Sequence, residues 1–411
     1  MRVAVVADIG QPVYHVGDEA IGHAVRDALR ARGVRPVMLT RNIRHTQHYF
    51  GPVDAAPTLA FPWAPAARER YLEAITAVLD GDAGALPAGD PAFAFIDTLR
   101  GVDALLVAGG GNLNTPYGWL LYERLAAMVV ARRLGKPVVV TGQTVGPTLS
   151  GHDAEVLGDA LRGAALVSVR EHHSVALARS LAPGHPAIVG GLDDAAAWRL
   201  DAPTPVAAEG DPRIVATFAP GTGPLAREDA VRALAALLDR VATHAGARVD
   251  LLPHMAHPGG ADGDLGFHAE VVAASTSGRV VELPLPTAEQ GADAVLGADL
   301  VVTSRYHPVV FAATRGVPVL ALVPDRYADV RIDGALTHHG LEGWAVPMTA
   351  LTTSEAATAA EAVWDDRGRV ADHLRSTVGC LLAAHTRRWD EIETALSGRS
   401  FAASDWQPAP A

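Results

Sequence analysis

Arg305 and His307 stand two residues apart in the run Thr303-Ser304-Arg305-Tyr306-His307-Pro308, between an apolar stretch at 300–302 and another that begins at Val309. A guanidinium offers a planar, bidentate clamp for phosphate or carboxylate. An imidazole near the start of a helical segment can move a proton at neutral pH. A buried capping histidine would account for His307 alone. A strong cation in a turn between two apolar elements calls for an anion nearby, and Ser304 adds a hydroxyl beside it.

Other polar residues recur at similar places. In His15-Val16-Gly17-Asp18-Glu19, the glycine permits a sharp turn. The two carboxylates fall at a helix start, where the macrodipole favours them. Capping is the plain reading of either one; orienting or deprotonating a substrate hydroxyl is the chemical one. Gly109, Gly110 and Gly111, followed by Asn112 and Asn114, leave backbone N–H groups open to an anionic or sugar ligand. This is neither a dinucleotide fingerprint nor a phosphate loop. Gln143 follows the apolar run 137–140, and Arg170 follows 166–169, where a surface salt bridge is its alternative.

His254, His257, Asp262 and Asp264, with His268 beyond them, are metal-type residues, but His254-x2-His257 lies in a Pro/Gly loop and no HExxH pattern is present. A polar acceptor-binding loop containing His254 fits better, and no metal is expected. No Gly-x-Ser-x-Gly elbow occurs, and Cys380 sits within a helical pattern, so a serine or cysteine hydrolase is not supported.

These residues need elements to hold them. Continuous apolar runs at 3–7, 36–39, 104–107, 137–140 and 166–169 read as buried parallel strands. So do 214–218, 249–252, 280–283, 300–302 and 318–323 after a break. Helix-period segments at 17–31, 120–134, 229–243 and 308–314 alternate with them, which argues for parallel α/β sheets. The Pro-rich stretch 201–212 reads as a linker and predicts two α/β domains, 1–204 and 205–411. The chain after 353 reads as helix to about 396. Two doubly wound, Rossmann-like domains would face each other across a cleft, with ligand-binding loops at the strands' carboxyl ends.

Composition narrows the classes. Forty-six Asp and Glu against 34 Lys and Arg give a net charge of −12, with no basic stripe for nucleic acid. The single cysteine cannot make an internal disulfide. The N-terminal apolar run is too short for a signal peptide, and no stretch nears the roughly 20 residues of a membrane span. The expectation is a cytoplasmic protein without membrane insertion; homo-oligomerisation is left open.

Taken in order, five stretches resemble the polysaccharide pyruvyl transferase family: GDEAIGHAVRDAL (17–29), DALLVAGGGNLN (103–114), GKPVVVTGQTVGP (135–147), ALVSVREHHSVAL (165–177) and ADLVVTSRYHPVVFAATRGVPVLAL (298–322). The resemblance implies a fold similar to the glycosyltransferase B architecture, with an acceptor-side N-terminal domain and a donor-side C-terminal domain. It implies phosphoenolpyruvate as co-substrate, no further cofactor, and a sugar-containing acceptor that becomes a pyruvate ketal as phosphate leaves. Arg305 and His307 would occupy the family's Arg-x-His positions, and Arg170 its strand-end arginine. Glu171 and Tyr306 stand where the family more often has Asp and Leu. Catalysis would then fall to His307, Arg305 and Asp18. Substrate binding would fall to Arg170, Glu19, Gly110, Gly111, Asn112, Asn114, Gln143, Ser304 and His254. Two alternatives stay open: a glycosyltransferase using a nucleotide sugar on the same architecture, and a non-catalytic anion- or sugar-binding member.

Overall fold

A computed structural model of the chain describes residues 1–200, 212–404 and 406. The apolar runs become strands in two parallel sheets. In chain order the strands are β1 (Arg2–Val6), β2 (Tyr14–His15), β3 (Arg35–Thr40), β4 (Asp54–Pro57), β5 (Ala104–Val107), β6 (Gly110–Leu113), β7 (Val138–Val145), β8 (Leu166–Val169) and β9 (Ile188–Gly190). They continue with β10 (Arg213–Thr217), β11 (Arg248–Leu251), β12 (Met255–Ala256), β13 (Val280–Glu282), β14 (Leu300–Thr303), β15 (Val319–Val323) and β16 (Ala345–Pro347). Helices follow most strands, as buried two-faced parallel strands require.

The contacts divide the chain into two units. The first comprises Met1–Gln11, Ile21–Asp194 and the described residues from Ala384 on. Its sheet runs β4-β3-β1-β5-β7-β8-β9, with β6 paired to β7. The order reverses between β1 and β5, which is the doubly wound pattern. Val6, Leu39, Leu105, Val107 and Val140 from the strands pack with Phe95, Leu121, Leu125 and Met128 from the helices. Each such side chain contributes roughly 1.5–3 kcal/mol on burial.

The second unit comprises Pro12–Ala20 and Ala195–Ala383. Its sheet runs β13-β11-β10-β14-β15-β16, and its order reverses between β10 and β14. Ile214, Val249, Leu300, Val302 and Leu320 pack with Leu234, Leu238, Phe267 and Trp364. Helix Arg227–Ala245 opens with Glu228 and Asp229 and ends at Gly246 in the left-handed region. Helix Ala288–Leu296 begins with a capping box formed by Thr287 and Gln290.

The domain boundary read from sequence, at 204/205, lies outside the described residues, as does the linker core. Elsewhere the division differs from a single cut. The segment Pro12–Ala20 packs with the second unit because β2 pairs antiparallel with β12, His15 opposite Met255 and Tyr14 opposite Ala256. Val16 N–H also donates to the His254 carbonyl at 2.9 Å, and Ala288 N–H donates to the Tyr14 hydroxyl at 2.9 Å. The described residues from Ala384 on pack with the first unit, where Arg32 holds Asp390. The expected single helical tail is two helices, Glu355–Asp365 and Arg367–Leu396, separated at Asp366. No helix among the described residues is long and apolar enough to cross a membrane.

Candidate functional site

Where the second unit's strand order reverses, the loops after β10 and β14 diverge and expose the sheet's carboxyl edge. Those two loops are tied by Ser304, whose N–H donates to the Thr217 carbonyl (3.0 Å) and whose hydroxyl accepts from Ala219 N–H (2.9 Å). Thr303 ends β14, and its hydroxyl accepts from Arg305 N–H at 2.8 Å. Arg305 thereby becomes the N-cap position of helix Tyr306–Thr314, with no side-chain cap. Its guanidinium turns instead to Asp264, a buried residue in the first turn of helix Gly263–Ala274. Arg305 Nε lies 3.2 Å from Asp264 Oδ2, and Nη2 bonds Oδ1. Asp264 Oδ2 also accepts from His254 N–H (2.9 Å) and Met255 N–H (3.0 Å). One side of the fork is thus pinned, while Nη1 has no protein partner among the described residues.

His307 is the second residue of the helix that Arg305 opens. Its ring packs edge-on to Tyr306, with centroids 5.1 Å apart, and lies 6.0 Å from Phe311. On another side it meets Gly17, where any Cβ would overlap the imidazole. Asp18, the next residue, is half-buried and pairs with His15, Nδ1 to Oδ2 at 3.1 Å. Glu19 is buried. The structure therefore brings Arg305, His307, Ser304 and the Gly17-Asp18 turn together within one unit.

His254 joins this group. Its ring is buried, and neither ring nitrogen has a hydrogen-bond partner among the described residues. Burial pushes its pKa well down, and the nearby charges of Arg305, His307 and His268 push it further. The ring is therefore neutral, with one N–H to offer a ligand. His268 is also lowered, to about 4, mainly by burial, and its Nε2 lies 3.1 Å from both the N and O of Phe218. A pinned guanidinium, a helix N-terminus and a neutral imidazole donor suit an anionic ligand. The metal-type residues of the same loop go to separate pairs: His257 bonds Asp262 at 2.5 Å, and Asp264 serves Arg305. No group of three potential ligands occurs among the described residues.

The remaining candidates lie in the first unit. Arg170 is only 2% exposed. Nε bonds Thr144 Oγ1 and Glu171 Oε1, both at 2.9 Å, and Nη1 reaches Asp193 Oδ2 at 2.6 Å. It is the centre of a buried ion cluster. Asp194 accepts from Gly109 N–H (2.8 Å) and Thr141 Oγ1 (2.9 Å). Burial, then Asp193, raises its pKa to about 7. Gly142 lets the chain pass this carboxylate, since a Cβ there would meet it and φ is +58°. Gly110 and Gly111 lie in β6, whose neighbour Gln143 donates to the Ala108 carbonyl at 2.5 Å. Asn112 Nδ2 and Gln143 Oε1 are buried without a partner among the described residues. Asn114 Oδ1 accepts from Thr148 N–H at 3.1 Å.

Spacing in the sequence does not reveal Asp264 as the anchor of Arg305, nor the pair Asp193 and Asp194. The second had a signal, two acids directly after Gly190-Gly191-Leu192, but β9 is too short to read as a strand.

Three comparisons place the chain. By structure it resembles a putative UDP-N-acetylglucosamine 2-epimerase from Listeria monocytogenes, with TM-score 0.63, 12% identity and 99% of each chain covered. It also resembles the sucrose-phosphate synthase of Thermosynechococcus elongatus, with TM-score 0.56, 16% identity and 97% and 100% of the two chains covered. CalG4, the calicheamicin glycosyltransferase, gives TM-score 0.52 at 14% identity, covering 96% and 98%. At such identities these likenesses show the fold alone, which is that of glycosyltransferase B enzymes. No curated protein matches by sequence. The model of the family Polysaccharide pyruvyl transferase matches residues 15–326, a stretch that takes in Arg170, Arg305 and His307, and the chain belongs to that transferase family.

Proposed function

We propose that the protein transfers the pyruvyl group of phosphoenolpyruvate to two hydroxyls of a sugar-containing acceptor, forming a ketal and releasing phosphate. The observation that carries this reading is the Arg305–Asp264 pair beside His307. Asp264 fixes two nitrogens of the guanidinium and leaves Nη1 for the donor, and the His307 ring follows at the same helix N-terminus.

Phosphoenolpyruvate brings a phosphate and a carboxylate into a net-acidic protein, so local cations must hold it. Arg305 Nη1, the helix N-terminus and the His254 N–H supply donors for them. His307 gives a proton to the methylene carbon, which becomes a methyl group. An acceptor hydroxyl adds to the neighbouring carbon, the C–O bond to phosphate breaks, and a second hydroxyl closes the ketal. Of the two hydroxyl protons, one restores His307 and the other leaves with phosphate. Asp18, paired with His15 and next in the chain to the Gly17 that adjoins the His307 ring, orients the attacking hydroxyl in this reading. Arg305 stabilises the leaving phosphate.

The test is phosphate release from phosphoenolpyruvate across free and nucleotide-linked sugars, with wild type and His307→Gln. Glutamine keeps a hydrogen bond but cannot carry the proton. Turnover should fall by ~10²–10⁴ while donor affinity stays within a few-fold. Release of a nucleoside diphosphate from a nucleotide sugar, with phosphoenolpyruvate inert, would assign the glycosyltransferase reading instead. Near wild-type turnover in His307→Gln would remove His307 from the mechanism.

A further inference from the structure

Trp63 is 73% exposed, the one aromatic side chain among the large hydrophobics left open in the described residues. A buried tryptophan covers some 150–250 Å² of apolar surface, most of which Trp63 forgoes. Its presentation is built rather than incidental. Pro62 and Pro65 flank it and restrict the backbone. Phe61 anchors the loop, buried against Tyr71 and Tyr122 at centroid distances of 5.0 and 6.1 Å. Trp119 backs the exposed ring at a centroid distance of 3.8 Å, and Tyr117 meets Trp119 at 5.9 Å. Trp63 leads into helix Pro65–Leu79 and Trp119 sits in the first turn of helix Gly118–Arg133; those two helices pack together.

We propose that Trp63, backed by Trp119, is a stacking platform for a pyranose ring of the acceptor glycan. A pyranose presents a face of C–H bonds, slightly positive and apolar, which matches the negative face of an indole. Trp119 leans against Trp63 at an interplanar angle of 34°, and the strong exposure of Trp63 leaves most of its ring open to a ligand. Tyr117 N–H donates to the Asn114 carbonyl at 3.0 Å, so the aromatic group continues directly from the Asn112–Asn114 segment. This assignment rests on the transferase reading above for the identity of the glycan, though sugar binding itself does not depend on phosphoenolpyruvate.

The experiment is tryptophan emission of the full chain during titration with methyl β-galactopyranoside, methyl β-glucopyranoside, methyl α-mannopyranoside and N-acetylglucosamine. At least one should shift the emission, with a dissociation constant on the order of 10⁻³ M for a single stacked ring. Trp63→Phe, which keeps a smaller ring, should weaken that binding severalfold, and Trp63→Ala should abolish it. In turnover assays Trp63→Ala should raise the acceptor KM about tenfold and leave the phosphoenolpyruvate KM and kcat unchanged. Sugar binding that vanishes in Trp63→Ala, in a protein inert toward phosphoenolpyruvate, would sustain the platform and sink the transferase reading. No response to any pyranoside, or one unchanged in Trp63→Ala, would overturn the platform. So would a loss of self-association in Trp63→Ala without any sugar response, which would make the patch a contact between copies of the chain.

Discussion

Gly17 and His307, 290 positions apart, occupy adjoining space: the imidazole of one fills the place where a side chain on the other would stand. Gly17 lies in the first turn of helix Val16–Ala31 and is held there by β2, which pairs with β12. The glycine of the GDE motif is therefore required by close approach, since its helical backbone would suit any residue.

Gly17→Ala should push the His307 ring out of position while the helix gains a better former. The expected result is a thermal midpoint close to wild type with turnover reduced by roughly the same factor as in His307→Gln. In the double variant the two effects should not add, because both remove one group. Additive losses would separate Gly17 from His307.

Asp264 should prove a positioning residue for the donor. Asp264→Asn keeps one acceptor for the His254 and Met255 amides but loses the charge that pins Arg305. Titration with phosphoenolpyruvate should show about tenfold weaker binding, or roughly 1.4 kcal/mol. Arg305→Lys should cost about as much by losing the fork. Wild-type affinity in both would remove this pair from donor binding.

The pH dependence of stability should carry the mark of Asp194. Its carboxyl titrates near 7 in the fold against 3.8 in the unfolded chain. The folded state therefore binds the proton more tightly, and stability falls as pH rises between these values, by at most about 1.4 kcal/mol per pH unit. Buried His254, His268, His339 and His385, all lowered chiefly by burial, act oppositely, losing stability as pH falls below 6.5. Urea unfolding of Asp194→Asn across this range isolates the first effect. The wild-type minus variant difference should decline with pH, and a flat difference would place the Asp194 pKa near its ordinary value.

Turnover should also survive chelation. Asp264 is committed to Arg305 and Asp262 to His257, so the loop offers no cluster for an ion. Activity lost to a chelator and restored by a divalent cation would contradict this.

Much of the architecture was legible because buried parallel strands are apolar on both faces and need little context to be recognised. The runs ending at Val107, Val169 and Val302 form such strands, and the polar residues after them fall where a doubly wound sheet exposes its loops. Short strands such as β2 and β12 carry no such pattern: Tyr14-His15 and Met255-Ala256 are two residues each and become strands only by pairing with one another. That pairing puts the Gly17-Asp18 turn in the unit that holds Arg305 and His307, with Gly17 against the His307 ring.

The sequence by itself determined which residue types follow which strands, since local periodicity and composition are carried by neighbours in the chain. It determined the family as well, through five ordered motifs. Only the tertiary structure decided what those residues do to one another. Arg170, read as a strand-end cation for a ligand, is enclosed by Asp193, Glu171 and Thr144, whereas Arg305, of the same type in the same kind of place, keeps Nη1 without a partner among the described residues beside Asp264. The reason is that an arginine's availability depends on which carboxylates the folded chain brings within about 3 Å, and of these Asp193 and Asp264 lie 23 and 41 positions from their arginines, beyond any periodicity a sequence can show.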